Sequence, residues 1–190
     1  MPIASLFISS VQKELQAEWK AVKAFIEGDP LLRRYFKVFL FEDLPASDRR
    51  SDDVYLDEVD RCAVYVGLFG NEYGHEGAQG VSPTEREFDR ATLQGKSRLI
   101  FVKGTDDKAR HPKIGALIRK AGDQLIRRRF AGIPDLTAAL YASLVDHLER
   151  TGVLRTRPFD ASAPEDDGQG FQKSPKIPDS GVCCMWVECF

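Results

Sequence analysis

The chain has 190 residues, 43% of them hydrophobic and 29% charged, with a formal net charge of −2. That is the make-up of a globular protein with room for one domain and an appendage, and its near-neutral balance supplies no general attraction to nucleic acid or anionic membrane. No apolar run approaches the roughly 20 residues that span a bilayer, and Met1 to Ile8 lacks the basic region and long apolar core of a secretory signal.

In chain order, Ile3 to Ile8 is an apolar run that reads as a first strand. Ser9 with Gln12 fits a capping box for the helix that follows, where Val11, Leu15, Trp19, Val22 and Ile26 recur at helical spacing until Gly28 and Pro30. Lys37 to Phe41 is a second strand, running into a polar loop that holds Glu42 and Asp43. Ser51 is placed to cap a helix with Asp52 and Asp53 in its first turn and Tyr55, Val59 and Cys62 on its buried stripe.

Ala63 to Phe69 is apolar throughout, as a strand covered on both faces requires. Gly70 to Gly74 and a polar loop lead to Ser82-Pro83-Thr84-Glu85, an N-cap, a first-position proline and the far end of a capping box. The helix that opens there stops near Gly95. Arg98 to Val102 is a fourth strand, Pro112 to Ala121 a helix, Gln124 to Arg127 a weaker fifth strand. Pro134 opens a last helix with Leu136, Leu140, Leu144 and Leu148 at four-residue spacing.

Strands alternating with helices predict a parallel sheet covered on both faces, with right-handed crossovers. The expected architecture is an α/β three-layer sandwich, flavodoxin-like, with strand order 2-1-3-4-5. The globular domain is expected over residues 1–154. Residues 155–190 are rich in Pro, Asp, Gly and Ser and without periodicity, which predicts a linker or disordered tail. The terminal run from Val182 to Phe190 reads either as a partner-binding tag or as a chain end shaped by truncation or an altered reading frame.

A parallel sheet of this kind places ligands beyond the carboxyl ends of its strands. Those ends carry Ser9, Ser10, Glu42, Asp43, Gly70, Asn71, Tyr73 and Lys103, with Ser82 opening a helix at the same edge. Glu87 falls at the margin of that helix's buried face, where a carboxylate can be half-desolvated and still reach a cleft. It reads either as a catalytic group or as a charge favoured near any helix start. Gly67, Gly70 and Gly74 do not make a Walker loop or a dinucleotide fingerprint. His75, His111 and His147 lack ligand spacing, and Cys183, Cys184 and Cys189 lack a fourth ligand, so no metal site is expected. Cys62, the one cysteine of the globular part, reads as a buried structural thiol and points to a reducing, cytoplasmic setting. Arg127 to Arg129 with Arg119 and Lys120 form a basic cluster, read either as a phosphate contact or as an edge-strand guard against aggregation.

Taken as an ordered set, Phe7 to Leu15, Val64 to Gly74, Ser82 to Phe88 and Leu99 to Lys103 resemble a TIR-like family known as a domain of unknown function. The resemblance spans about residues 3–150. It implies the N-terminal module of a bacterial multidomain protein, followed by a signal-transducing NTPase or by an AlbA-like and helicase-like region. The first function it implies is signalling: sensing a nucleotide-like ligand, or self-associating as a homo-oligomer, to control the downstream effector. The second is enzymatic, since the wider superfamily acts on N-glycosidic bonds of NAD or nucleosides with a Glu that corresponds to Glu87. In that reading Ser9, Ser10 and Asn71 line the cleft and Tyr73 stacks on a base. NAD or another nucleotide is then ligand or substrate, with no resident cofactor. A third reading, nucleic-acid binding through Arg119 and Arg127 to Arg129, is disfavoured by the neutral net charge.

Overall fold

The computed structural model describes residues 3–39, 51–77 and 79–154; the side chains of residues 51–53 lie outside it. The expected loop carboxylates Glu42 and Asp43, the Ser51 cap and the tail from residue 155 therefore lie outside the described residues. The elements run β1 (Ala4–Ser10), α1 (Gln12–Gly28), α2 (Leu32–Tyr35), β2 (Phe36–Phe39), α3 (Ser51–Arg61) and β3 (Val64–Phe69). They continue with α4 (Pro83–Leu93), β4 (Ser97–Lys103), α5 (Pro112–Gly122), β5 (Arg127–Phe130) and α6 (Ile133–Arg150).

All four strand pairings are parallel, and the sheet order is β2-β1-β3-β4-β5, as the alternation of patterns required. Two cores follow from the two faces. On one, Leu15, Trp19, Val22 and Ile26 of α1 and the leucine ladder of α6 pack on Leu6, Val64, Val66 and Phe101. On the other, Val59 of α3, Phe88 and Ala91 of α4 and Ile114 and Leu117 of α5 cover Phe7, Tyr65 and Phe69. Every residue of β3 is buried, which is why it reads as an unbroken apolar run. Leu136, Leu140 and Leu144 are each wholly buried, so cutting one back to alanine is worth about 2–5 kcal/mol.

Local signals diverge from this frame at three places. Ser9 is the penultimate residue of β1, not a helix cap; α1 begins after Val11, which offers no side-chain acceptor. The short helix α2 has no periodicity to announce it and is held by Asp29, whose Oδ1 accepts from the Leu31 and Leu32 amides at 2.9 and 2.8 Å. The fifth strand starts at Arg127 rather than Gln124. The cause is the end of α5: Leu125 N–H still bonds Ala121 O at 2.9 Å and its side chain packs on the second core, so the chain straightens only after it.

His147, on α6, tests the packing at the other end of the sheet. Its ring packs against Phe36 at 6.3 Å, and Nδ1 lies 3.1 Å from Ser97 Oγ. Burial, reinforced by Arg150 and opposed by Asp146, holds its pKa below the ordinary 6.5. A folded-state value below the unfolded one means that stability is complete above about pH 6.5 and is lost as the pH falls toward the folded value. Urea midpoints compared at about pH 7.5 and pH 5.5 should therefore fall on acidification, and the fall should be smaller in His147→Gln.

Candidate functional site at the carboxyl edge of the sheet

The α4 helix begins as its sequence demands. Ser82 Oγ accepts from Glu85 N–H at 3.3 Å, with Pro83 in the first turn. The returning half of the capping box is relayed: the Glu85 carboxylate accepts from the Tyr73 hydroxyl, which in turn accepts from Ser82 N–H at 3.2 Å. Tyr73 is 3% exposed and its ring stacks on His111 at 5.6 Å. Burial, then the contact with Glu85, raises its pKa, so the phenol stays protonated as the donor in this relay.

One turn further along, Glu87 is 6% exposed, more deeply buried than a margin position predicts. It lies on the same side of the helix as Thr84 and Phe88, facing the end of β1. Ser9 Oγ donates to Glu87 Oε2 at 2.5 Å. The register that pairs Ser9 with Gly67 and Phe7 with Tyr65 puts the Tyr65 phenol on the same face. Tyr65 is held well above its ordinary pKa by burial, then by the charge of Glu87, with Ser9 opposing. The carboxylate is thus set between a hydroxyl donor and a neutral phenol.

Glu87 forms part of the wall of a cavity of about 610 Å3. Phe7, Phe39, Tyr55 and Trp19 give that wall its apolar surface, and Ser10, Lys13, Glu72 and His75 give it polar groups. Phe7 stacks on Phe39 with ring centroids 6.1 Å apart and planes 16° from parallel, which leaves a flat aromatic wall. A volume of this size and lining suits one small molecule.

Of the residues expected at the strand ends, Ser10, Tyr73 and Glu87 meet at this cavity, with Ser9 gripping Glu87. Gly70, Asn71, Ser82 and Lys103 are engaged elsewhere. Lys103 pairs with the buried Glu18 of α1 at 2.5 Å. Asn71 N–H and Glu72 N–H donate to the Glu14 carboxylate at 2.6 and 2.9 Å, and Asn71 O accepts from His111 N–H at 2.9 Å. Ser82 is wholly buried as the cap of α4.

Two residues that sequence patterns do not single out organise this edge. Glu14 leaves α1 at a non-helical Leu15 and lays its carboxylate over the loop after β3. Arg110, its side chain 1% exposed, donates to Gly70 O at 2.5 Å, to Lys103 O at 2.6 Å and to Asp107 at 2.8 Å. It therefore staples the ends of β3 and β4. Asp107 also receives Arg129, and these two guanidiniums, Arg129 first, hold its carboxyl far below the usual carboxylate range. Arg127 donates to Ile118 O at 2.5 Å and Lys120 pairs with Asp89 at 2.6 Å. Much of the basic cluster is thus spent inside the domain. Cys62 is buried, its thiol pushed up to about 11 chiefly by desolvation. Among the described residues no group of three or more His, Cys, Asp or Glu side chains could hold a metal ion, and no helix is long and apolar enough to cross a membrane.

The architecture is that of an open, doubly covered parallel α/β sheet with its cavity at the carboxyl edge, where this class of protein takes its ligands. The chain belongs to the DUF4062 family, described as a domain of unknown function, whose model matches residues 5–145. No curated protein matches it. Among solved structures it is similar to a CMP N-glycosidase from Clostridium botulinum, with 12% identity and a TM-score of 0.48 over 73% of this chain and 98% of that one. It is similar also to a 2-desoxiribosyltransferase from Leishmania mexicana, with 17% identity and a TM-score of 0.38 over 66% and 75% of the two chains. Oxidised flavodoxin 1 from Bacillus cereus gives 14% and 0.40 over 77% and 98%.

The Glu14 strut carries a direct test. A Cβ on Gly70 would lie 2.3 Å from Glu14 Oε2, so the flexible carboxylate must swing out and release both amides. Gly70→Ala should cost about 1.5–3 kcal/mol in urea unfolding, as expected for lost bonds to a charged acceptor. Glu14→Ala should cost a similar amount, and the double variant little more than either alone.

Proposed function

We propose that the cavity binds a nucleoside-like ligand and that Glu87 acts on its ribosyl–base bond. The observation that carries this reading is the placement of Glu87: a carboxylate 6% exposed, in the wall of an aromatic-lined cavity, gripped by Ser9 at 2.5 Å. Buried carboxylates are costly to keep and gather at sites of chemistry. The flat aromatic wall offers a stacking surface for a base. With the base so placed, C1′ of the sugar faces Glu87.

As the C1′–N bond breaks, its electron pair leaves with the base, and positive charge develops at C1′ and the ring oxygen. The Glu87 carboxylate stabilises that charge, or closes on C1′ as a nucleophile. Water then supplies a hydroxyl to C1′ and its other proton to the departing base, or to the solvent where a cationic base leaves neutral, giving free base and a reducing sugar. Ser9 holds the carboxylate in the orientation this needs, and the buried surroundings strengthen the electrostatic effect. A role as a ligand sensor for a downstream domain would use the same cavity without turnover, so one assay separates the two.

The full chain is incubated with a panel of nucleosides, nucleoside monophosphates and NAD, and free base is followed by chromatography. The reading predicts release from at least one of them. Glu87→Gln should lower the rate by about a hundredfold or more and Ser9→Ala by about tenfold. Absence of release across the panel, or equal release by Glu87→Gln, would overturn the enzymatic reading. Binding without release would leave the sensor.

A further inference from the structure

We infer that Tyr65 is a positioning residue for Glu87: its phenol donates to the Ser9 hydroxyl and, through Ser9, keeps the carboxylate ionised and fixed in place. The inference deepens the function proposed above and rests on it for the role of Glu87. Tyr65 of β3 is wholly buried, and its hydroxyl is a buried polar atom with no hydrogen-bond partner. Such an atom is uncommon in a folded core and costs stability. Phenylalanine would fill the same space without that cost, so packing does not account for the hydroxyl.

The ring is held on two sides by neighbours of the Ser9–Glu87 pair. On one side it stacks on Phe7, two residues before Ser9 on β1, with centroids 6.2 Å apart. On the other it meets the edge or face of Phe88, the residue after Glu87 on α4, at 6.3 Å. Alternation along β1 turns Phe7 and Ser9 to the same face of the sheet, and the register sets Tyr65 opposite Phe7. The phenol is thereby confined to the corner where β1 and α4 bring Ser9 and Glu87 together. Its ionisation registers both: burial first, then the charge of Glu87, raises its pKa, and the Ser9 hydroxyl opposes them as a hydrogen-bonding group.

The two hydroxyls are also complementary in chemistry. A serine hydroxyl has one proton and two lone pairs. Ser9 gives its proton to Glu87 and keeps its lone pairs, while the Tyr65 phenol has a proton and no acceptor. Hydrogen bonds of this kind are often long in a ligand-free site and tighten in the complex. Once made, the chain Tyr65–Ser9–Glu87 polarises along its length, so Ser9 becomes a stronger donor and the ionised carboxylate is favoured. No proton is transferred; the phenol keeps its own and acts by its dipole. Other ionisable groups share the cavity wall with Glu87: Lys13 of α1, Tyr55 of α3, Glu72, Tyr73 and His75 after β3, and His111 before α5. Cys62, Asp89 and Arg98 act from the Tyr65 side. A substitution at Tyr65 alone leaves all of these in place.

The titration of Glu87 is followed by carboxyl-carbon NMR on the full chain carrying isotope-labelled glutamate, with Glu87→Gln to assign the resonance. Tyr65→Phe should raise the Glu87 pKa by about 0.5–1 unit, and the acidic limb of base release should move to higher pH by the same amount. The urea midpoint of Tyr65→Phe should equal or exceed that of the wild type, since only an unpartnered hydroxyl is removed. In a Ser9→Ala background, Tyr65→Phe should leave the Glu87 titration where Ser9→Ala alone puts it. An unmoved titration in Tyr65→Phe, a shift of equal size without Ser9, or a lowered urea midpoint would overturn the inference. Base release with an unmoved titration removes the positioning role and keeps the proposed function. A moved titration without base release from any substrate keeps the positioning role and removes the function.

Discussion

The hydrogen bond from Ser9 to Glu87 joins positions 78 residues apart, the end of the second-innermost strand and the second turn of α4. Its existence constrains everything around it. For a carboxylate to be 6% exposed, the strand must end in a residue short enough to leave room and polar enough to donate. The neighbouring strand places Gly67 opposite Ser9, where a Cβ would meet Ile100 at 2.9 Å. Burial of a charge costs several kcal/mol before its partners offset it. The fold accepts that cost at the edge of the sheet where α/β proteins take their ligands, and surrounds it with aromatic rings rather than with more charge.

Holding such a site open requires a rigid rim. Parallel strands end in loops, and loops left to themselves would close over a cavity or sag into it. Here three struts fix the rim from outside the cavity. Glu14 holds the loop after β3 by its amides, Arg110 ties the ends of β3 and β4 by their carbonyls, and Lys103 anchors β4 to Glu18 of α1. Tyr73 closes the fourth side by linking the same loop to the cap of α4 and stacking on the cap of α5. Polar residues at the strand ends therefore divide into two kinds. Ser10 and Glu87 face the cavity, while Asn71, Lys103 and Ser82 maintain its frame.

That division marks the limit of what is legible in the chain. The parallel sheet, its order and its two covered faces follow from strand–helix alternation, and the leucine ladder of α6 and the capping signals of α4 follow from spacing alone. Glu87 was legible as a candidate because helical geometry places it next to Phe88 and Ala91. Its true depth was not, since burial is decided by Phe7 and Tyr65 on strands distant in sequence. The roles of Glu14 and Arg110 depend on contacts across 57 and 40 residues, which no local pattern encodes. The fifth strand begins later than its pattern for a related reason: Gln124 to Arg127 has strand character, yet the bond from Leu125 to Ala121 keeps that stretch attached to the end of α5. Ser9 carries the local signature of a cap, Ser followed by Gln three residues on, yet its hydroxyl goes to the tertiary partner Glu87.

A Ser9–Glu87 pair kept for chemistry rather than for folding is a burden on the fold. Stability measures this directly. Ser9→Ala combined with Glu87→Leu removes both polar groups of the pair and fills the space with apolar atoms. If the claim holds, the urea unfolding free energy of the double variant equals or exceeds that of the wild type, by up to about 1–4 kcal/mol. A loss of about 3 kcal/mol or more would show that the pair is a structural bond of the fold, and the account of Glu87 as the acting group would not stand.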